Sequence, residues 1–141
     1  MIIERHEAGP RFSEMTVANF GNGKLIFISG QVAENTSLDI AGQTREVLGF
    51  IDRLLEHAGA RREHIASARI YLASVGDYAE MNSVWDAWVA PGHAPARSTI
   101  GAKLINSGYK VEIEVTAAIA PGPREAQDLS CEKPHAQADH R

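Results

Sequence analysis

Residues that form covalent or metal cross-links are scarce in this sequence. Only one cysteine, Cys131, occurs among the 141 residues, and it lies in a polar C-terminal stretch. A single cysteine excludes an intrachain disulfide, and no CxxC pair or spaced Cys/His cluster of the kind that binds zinc is present. The six histidines do not show HExxH or similar ligand spacing. We therefore expect no metal site.

Basic clusters and long apolar runs are also lacking. The formal net charge is −4, and the longest basic run is the pair Arg61-Arg62. Because neutralising phosphates requires clustered Lys and Arg, we expect no nucleic-acid partner. No segment is apolar over the length of a membrane span, and the N-terminus lacks the apolar stretch of a secretion signal. These features predict no membrane association and a reduced, cytoplasmic setting.

What remains is the composition of an ordinary globular protein. Hydrophobic residues make up 44% of the chain and charged residues 23%. Residues 1–120 contain no internal repeat and are numerous enough to bury a core, so they are predicted to form a single domain. Residues 121–141 contain few large apolar side chains and are predicted to be a disordered polar tail.

The first of two predicted helices follows a change in hydrophobic period near Ser37. Apolar residues recur at helical spacing from Ile40 to Ala58, which indicates an amphipathic helix. Thr36 or Ser37 can cap its start, and Gly59 is suited to its end.

The second predicted helix begins after Asp77, the expected N-cap. Its apolar stripe consists of Tyr78, Met81, Trp85 and Trp88. A stripe of Met and aromatic residues at this spacing is more often core than a cofactor site, so we interpret it as core.

Apolar segments and turn signals predict strands over residues 2–5, 15–20, 24–29, 65–72, 97–104 and 110–119. The element order is therefore β-β-β-α-β-α-β-β, an α+β arrangement in which two helices can cover only one face of the sheet. Residues 25–28 are apolar on both faces, so the second face also needs a cover. Self-association is the favoured explanation, and a half-exposed sheet with a modest apolar patch is the alternative.

Arg97 is the first candidate site residue. Pro95 stiffens the backbone just before the predicted strand that carries it. A guanidinium held in this way can bind a carboxylate through two parallel hydrogen bonds. A surface salt bridge at the end of a strand is an equally good interpretation.

Glu112 and Glu114 form the second candidate feature. Strand side chains alternate, so both project from the same face of an otherwise apolar strand. A carboxylate beside an apolar wall can have a raised pKa and orient or deprotonate a water molecule. In an arbitrary strand, two such residues would more often mark a solvated face.

Three further residues carry weaker signals. Gly30 allows the backbone after Ser29 to approach a ligand closely, although many turns have the same sequence. Asn82 lies on the second helix beside the aromatic stripe, where it could bond a ligand or a local backbone group.

Together these segments resemble the RidA/YjgF family, also known as the L-PSP endoribonuclease or UK-type translation-inhibitor family. The resemblance extends over nearly the whole chain up to Ala120. Its most specific blocks are Ala-Pro-Ala-Arg-Ser-Thr at 94–99 and Lys-Val-Glu-Ile-Glu-Val-Thr-Ala at 110–117, and the others are Gly-Pro-Arg-Phe-Ser at 9–13, Leu-Ile-Phe-Ile-Ser-Gly-Gln at 25–31 and Asp-Tyr-Ala-Glu-Met-Asn at 77–82. Residues 81–88 and 92–97 are most similar to the YoaB-like branch.

The resemblance implies a chorismate-mutase-like two-layer fold with a six-stranded mixed sheet and two helices on one face. It also implies a homotrimer with clefts between subunits. The implied reaction is the hydrolysis of enamines and imines of the 2-aminoacrylate type to 2-keto acids and ammonia, without cofactor or metal. Arg97 matches the residue that binds the substrate carboxylate, and Glu112 matches the residue that holds the attacking water. Ser29, Gly30 and Asn82 match positions in the cleft.

Two departures from the family pattern affect the expected substrate-binding residues Phe12 and Thr99. Phe12 stands where many members have tyrosine, so its ring can pack on a ligand but the hydroxyl is missing. Thr99 stands where many members have a reactive cysteine, so chemistry at a thiol is not expected. A non-catalytic trimer that binds or senses small metabolites such as keto acids is the alternative function. Whether Arg97 and Glu112 share one cleft depends on strand register and subunit contacts.

Overall fold

The computed structural model describes residues 2–120. The order of the elements is β-β-β-α-β-α-β-β, as predicted. The strands are β1 (Ile2–Ala8), β2 (Ser13–Phe20), β3 (Gly23–Val32), β4 (Ile65–Leu72), β5 (Ala96–Gly101) and β6 (Val111–Ile119), and the helices are α1 (Ile40–His57) and α2 (Tyr78–Trp88). The predicted tail lies outside the described residues.

All six strands belong to one mixed sheet with the order β1-β2-β3-β6-β4-β5. Neighbouring strands are antiparallel except for β4 and β5, which are parallel and are connected through α2. A parallel pair requires a crossover connection, and a helix supplies it. The mixed sheet is thus confirmed, and β5 is one of its two edge strands.

One face of the sheet packs against both helices and forms the core. In β6 the residues on this face are fully or almost fully buried: Val111, Ile113, Val115 and Ala117. The apolar stripe of α1 covers them with Val47, Leu48, Ile51, Leu54 and Leu55, and α2 adds Met81, Trp85 and Trp88. The predicted two-layer α+β architecture is therefore present.

The start of α1 differs from the prediction. Asp39 is the N-cap, and its Oδ1 accepts a hydrogen bond of 2.8 Å from the backbone N–H of Gly42. The prediction of Thr36 or Ser37 was wrong, because the Ser37 hydroxyl donates instead to Asn35 Oδ1 at 2.6 Å. The predicted end is correct: Gly59 follows the C-cap with a φ of 77°, a conformation that favours glycine.

The other face of the sheet carries large apolar side chains that nothing in residues 2–120 covers. Phe20, Leu25, Phe27 and Ile100 are each between 37% and 49% exposed. We call this the open face. No helix in the described part of the chain is long and apolar enough to cross a membrane.

Candidate functional site

Arg97 lies on the helix side of the sheet and is held by aromatic rings. It is paired in register with the buried residue Ala68, so its side chain points toward α2. Its guanidinium carbon lies 5.3 Å from the centre of the Trp85 ring and 5.9 Å from that of Tyr78. Its Nη2 donates to the Tyr78 hydroxyl at 3.3 Å. Cation–π contacts of this kind orient the guanidinium without neutralising its charge.

No carboxylate of residues 2–120 forms an ion pair with Arg97. This observation disfavours the interpretation of Arg97 as a salt-bridge residue within the described chain. The charge is oriented but unpaired, which suits the binding of an external carboxylate.

Thr99 follows Arg97 by two residues on the same face of β5, and Asn82 lies with Tyr78 on α2, the helix whose rings contact Arg97. Asn82 follows Tyr78 by one turn of α2, and its amide hydrogen bond to the phenol is the main cause of a lowered Tyr78 pKa. The charge of Arg97 lowers that pKa further. We call these four residues the Arg97 cluster: Arg97, Tyr78, Asn82 and Thr99.

Two oxygens of the Arg97 cluster are buried without a hydrogen-bond partner in the described chain. They are Asn82 Oδ1 and Thr99 Oγ1. Buried polar atoms are nearly always satisfied by protein, water or ligand, so an unsatisfied pair in one cluster is characteristic of a binding site.

Tyr78 is a residue that the sequence analysis assigned to the core. Met81 and Trp85 of the same stripe are buried as predicted, but Tyr78 is 47% exposed. The assignment was wrong because Tyr78 lies in the first turn of α2, at the rim of the core. The pattern Tyr-x-x-x-Asn, with both residues on the same helix face, was the available signal.

Glu112 lies on the open face, opposite the Arg97 cluster. It follows the buried Val111 and precedes the buried Ile113 in β6, so alternation directs it away from the helices. Its side chain lies directly against the backbone of Gly30: a Cβ atom at that position would come within 2.8 Å of Glu112 Cδ. A residue with a Cβ at position 30 would clash with Glu112, so glycine is required there to leave room for that side chain. This requirement explains Gly30 better than turn formation does.

Burial raises the pKa of Glu112, and the nearby charge of Glu114 raises it further. Glu112 makes no hydrogen bond or ion pair with other residues in 2–120. A half-buried carboxylate with free oxygens and a raised pKa can accept a proton from water more readily than an ordinary glutamate.

Glu114 differs from Glu112 although both project from the same strand face. Its Oε1 accepts a hydrogen bond of 2.8 Å from the Tyr71 hydroxyl, and Arg69 lies 4.0 Å away. This hydrogen bond is the main cause of the raised pKa of Tyr71. Glu114 is therefore occupied by protein partners, whereas Glu112 has none within residues 2–120.

Ser29 and Gly30 lie at an irregularity in β3. The register with β6 shifts between Ile28 and Gln31, so that two residues of β3 lie opposite one residue of β6. Glu14 holds this bulge from β2: its Oε1 accepts hydrogen bonds from Ser29 Oγ at 3.3 Å and from Gln31 Nε2 at 3.0 Å. Glu14 had no signal in the sequence, because only the strand pairing brings it to the bulge.

Phe12 lies near Gly30 of this bulge, in a pocket that is also lined by residues of α1. It is 58% exposed and, with Gly30, Glu14 and Arg53, lines a pocket of about 270 Å³. We call Glu112, Gly30, Ser29 and Phe12 the Glu112 cluster.

A larger groove of about 660 Å³ lies on the outer surface of the helices, away from every predicted site residue. Its polar groups bond one another: Arg62 Nε donates to Asp52 Oδ1 at 2.8 Å, and Trp88 Nε1 donates to Asp52 Oδ2 at 3.1 Å. These bonds tie the segment after α1 to the end of α2, which gives them a structural role.

A single chain does not bring the two clusters together. The Arg97 cluster lies on the face of the sheet that carries Ala68 and Val115, and the Glu112 cluster lies on or beside the open face. Residues 2–120 contain no group of three or more His, Cys, Asp or Glu residues that could hold a metal ion.

Comparisons of the sequence with known proteins all indicate one family. The family model described as endoribonuclease L-PSP matches residues 3–119. The RutC family protein YoaB from Escherichia coli strain K12 is 42% identical over 119 residues, which are 84% of this chain and 100% of that protein. A RutC family protein from Haemophilus ducreyi is also 42% identical and covers 84% of this chain and 97% of that protein.

Solved structures with a similar fold include members of the same family. A member of the YjgF protein family from Neisseria meningitidis has a TM-score of 0.80 and 47% identity, covering 86% of this chain and 98% of that chain. A conserved Rid-family protein of unknown function from Yersinia pestis has a TM-score of 0.69 and 29% identity, covering 79% of this chain and 90% of that chain.

Proposed function

We propose that this chain, which belongs to the endoribonuclease L-PSP family of YjgF and RutC proteins, hydrolyses reactive enamines and imines of the 2-aminoacrylate type to 2-keto acids and ammonia. The observation that carries the proposal is the pair of unneutralised groups, the Arg97 guanidinium and the half-buried Glu112 carboxylate. Each is held in place by its surroundings and each lacks an ionic partner within residues 2–120.

Arg97 binds the carboxylate of the imino acid in this proposal. Stacking between Tyr78 and Trp85 limits the motion of the guanidinium before substrate arrives. Less conformational entropy is then lost on binding, and the C=N carbon is presented in a constant orientation.

Glu112 positions a water molecule beside that carbon. As the new C–O bond forms, the carboxylate accepts a proton from the water and passes it to the imine nitrogen, giving a carbinolamine. When the C–N bond breaks, the hydroxyl proton follows the same path to the nitrogen, and ammonia and a 2-keto acid are released. The raised pKa of Glu112 suits a group that must both accept and return a proton near neutral pH. Since imines already hydrolyse in water, positioning can supply most of the acceleration.

We further propose that the working form is a homotrimer with its clefts between subunits. The clusters lie on opposite faces of one sheet, so a second copy is needed to place the Arg97 cluster opposite the Glu112 cluster. The apolar side chains of the open face supply a surface for that contact.

A coupled ammonia assay tests the proposal. An amino-acid oxidase generates imines of several amino acids in situ, and their loss is compared for the wild type and Arg97→Ala. We expect acceleration by the wild type, a loss of roughly tenfold to a hundredfold in the variant on the basis of the lost charged contact, and an unchanged oligomeric state. Arg45→Ala, which removes an exposed arginine of α1, is the matched control and retains full activity.

Other outcomes of this assay are equally informative. Undiminished turnover by Arg97→Ala would contradict the assignment of the carboxylate site. No acceleration of any imine by folded wild-type protein would favour the alternative, a trimer that binds keto acids without turnover. A ribonuclease activity is disfavoured because the chain has a net charge of −4 and the Glu112 cluster adjoins Glu14 and Glu114.

A further inference from the structure

We infer that the Tyr78 hydroxyl is a second substrate-binding group, which donates a hydrogen bond to the same carboxylate that Arg97 holds. This inference rests on the proposed function and names a residue that sets its preference for substrates with a carboxylate. It follows from the arrangement of the hydrogen-bond donors around the phenol oxygen.

An N–H donor of Arg97 already occupies one acceptor site of that oxygen. Arg97 Nη2 donates to it from β5 at 3.3 Å. A phenol has one donor and two acceptor sites. With Arg97 Nη2 on an acceptor site, the O–H proton is directed away from the guanidinium nitrogen and is available to an external acceptor.

An anion bound by Arg97 would supply the acceptor for the Tyr78 O–H, because the two side chains are in contact. The Arg97 guanidinium lies over the Tyr78 ring and has no anionic partner within residues 2–120. An anion paired with Nη2 is therefore also within reach of the hydroxyl, which is itself bonded to Nη2. A carboxylate has about four lone-pair sites and can accept from the guanidinium and the phenol together.

The surroundings of Tyr78 support a role in binding. Its side chain is 47% exposed although the helix neighbours Met81 and Trp85 are buried, so the ring is accessible from outside the core. Asn82 Oδ1 and Thr99 Oγ1 in the same cluster are buried without partners in the described chain. The donors that lower the pKa of Tyr78 also make its O–H a stronger hydrogen-bond donor.

Tyr78→Phe tests the inference because it removes only the hydroxyl. For imines that carry a carboxylate, we expect KM to rise about tenfold with kcat within about twofold, since the lost bond forms equally in the ground and transition states. For an imine without a carboxylate, generated from a primary amine by an amine oxidase, KM stays unchanged. Tyr109→Phe removes a phenol outside both clusters and is the matched control.

A kcat loss in Tyr78→Phe with equal effect on both substrate classes would show that the hydroxyl acts elsewhere, and would overturn the inference. Wild-type kinetics in Tyr78→Phe would overturn it as well while leaving the proposed function intact. If the wild type has no turnover, titration with pyruvate followed by NMR replaces the kinetics. A roughly tenfold weaker Kd in Tyr78→Phe then supports the inference, whereas equal binding or no binding by the wild type overturns it.

Discussion

At the residue scale, Glu112 shows how burial and a neighbouring charge together raise the pKa of a carboxylate. Desolvation disfavours its ionised form, and Glu114, two residues further along the same strand face, adds repulsion. Tyr71 and Arg69 contact Glu114 and hold its carboxylate in place beside Glu112. The two glutamates therefore have different roles although the sequence presents them as equivalents.

The pH dependence of activity follows from this arrangement. Glu112 must be ionised to accept a proton, so kcat/KM rises as pH increases through its raised pKa. Glu114→Gln removes the like charge and lowers the pKa of Glu112, which moves the acidic limb of the profile to lower pH. We expect a displacement of a few tenths of a pH unit to about one unit.

The measurement is kcat/KM for one imino acid between acidic and neutral pH. Glu63→Gln, which neutralises an exposed carboxylate beside Arg61, is the control and leaves the limb in place. An unchanged or upward-shifted limb in Glu114→Gln would argue against Glu112 as the titrating base.

Sequence reasoning at this scale selected Arg97 and Glu112 but missed Tyr78 and Glu14. Helical spacing assigned Tyr78 to the same stripe as the buried Trp85, and periodicity does not show where the core ends. Glu14 acquires its partners only through the pairing of β2 with β3.

At the element scale, the bulge in β3 shows how strand geometry makes room for the Glu112 side chain. The extra residue places Gly30 opposite β6, where its missing side chain leaves room for that of Glu112. The sequence Ser-Gly-Gln suggested a close backbone approach, and the structure identifies the approaching group as a side chain of the same protein.

Gly30→Ala tests this account. The added Cβ would lie within 3.0 Å of Glu112 Cγ and Cδ, so the side chain must move away. We expect at least a tenfold loss of kcat, because a displaced base is costly, and a destabilisation of about 1–3 kcal/mol from the enforced contact.

Gly49→Ala is the matched control for this substitution. Gly49 lies within α1, and a Cβ there would meet nothing within 4 Å. The substitution should retain activity and raise the free energy of unfolding by about 0.5–1 kcal/mol, because alanine favours the helix. Urea unfolding and the imine assay on both variants provide the comparison, and full activity in Gly30→Ala would refute the account.

At the scale of the whole molecule, the two clusters lie on opposite faces of one sheet, and the proposed reaction requires that they meet across two subunits. Arg97 points toward the helices, and Glu112 projects from the open face of the same sheet. In the proposed trimer, each cleft then takes its Arg97 cluster from one subunit and its Glu112 cluster from a neighbour.

Mixed oligomers test this arrangement. Arg97→Ala and Glu112→Gln are each expected to be inactive alone. After unfolding and refolding an equal mixture, a cleft is intact when its arginine donor and its glutamate donor both carry the native residue. One half multiplied by one half predicts activity of about a quarter of the wild type. No recovery in refolded mixed trimers would show that each cleft uses both residues of one subunit.

The sequence by itself determined the order of strands and helices, the two-layer architecture and the family, because periodicity and local motifs are read along the chain. It also selected Arg97 and Glu112, since their residue types in these blocks resemble a known pattern. Only the tertiary structure decided that Glu112 lies against Gly30, that Tyr78 joins Arg97, and that the two clusters lie on opposite faces. These facts depend on strand register and crossover geometry, in which a shift of one residue would send every side chain of the strand to the other face.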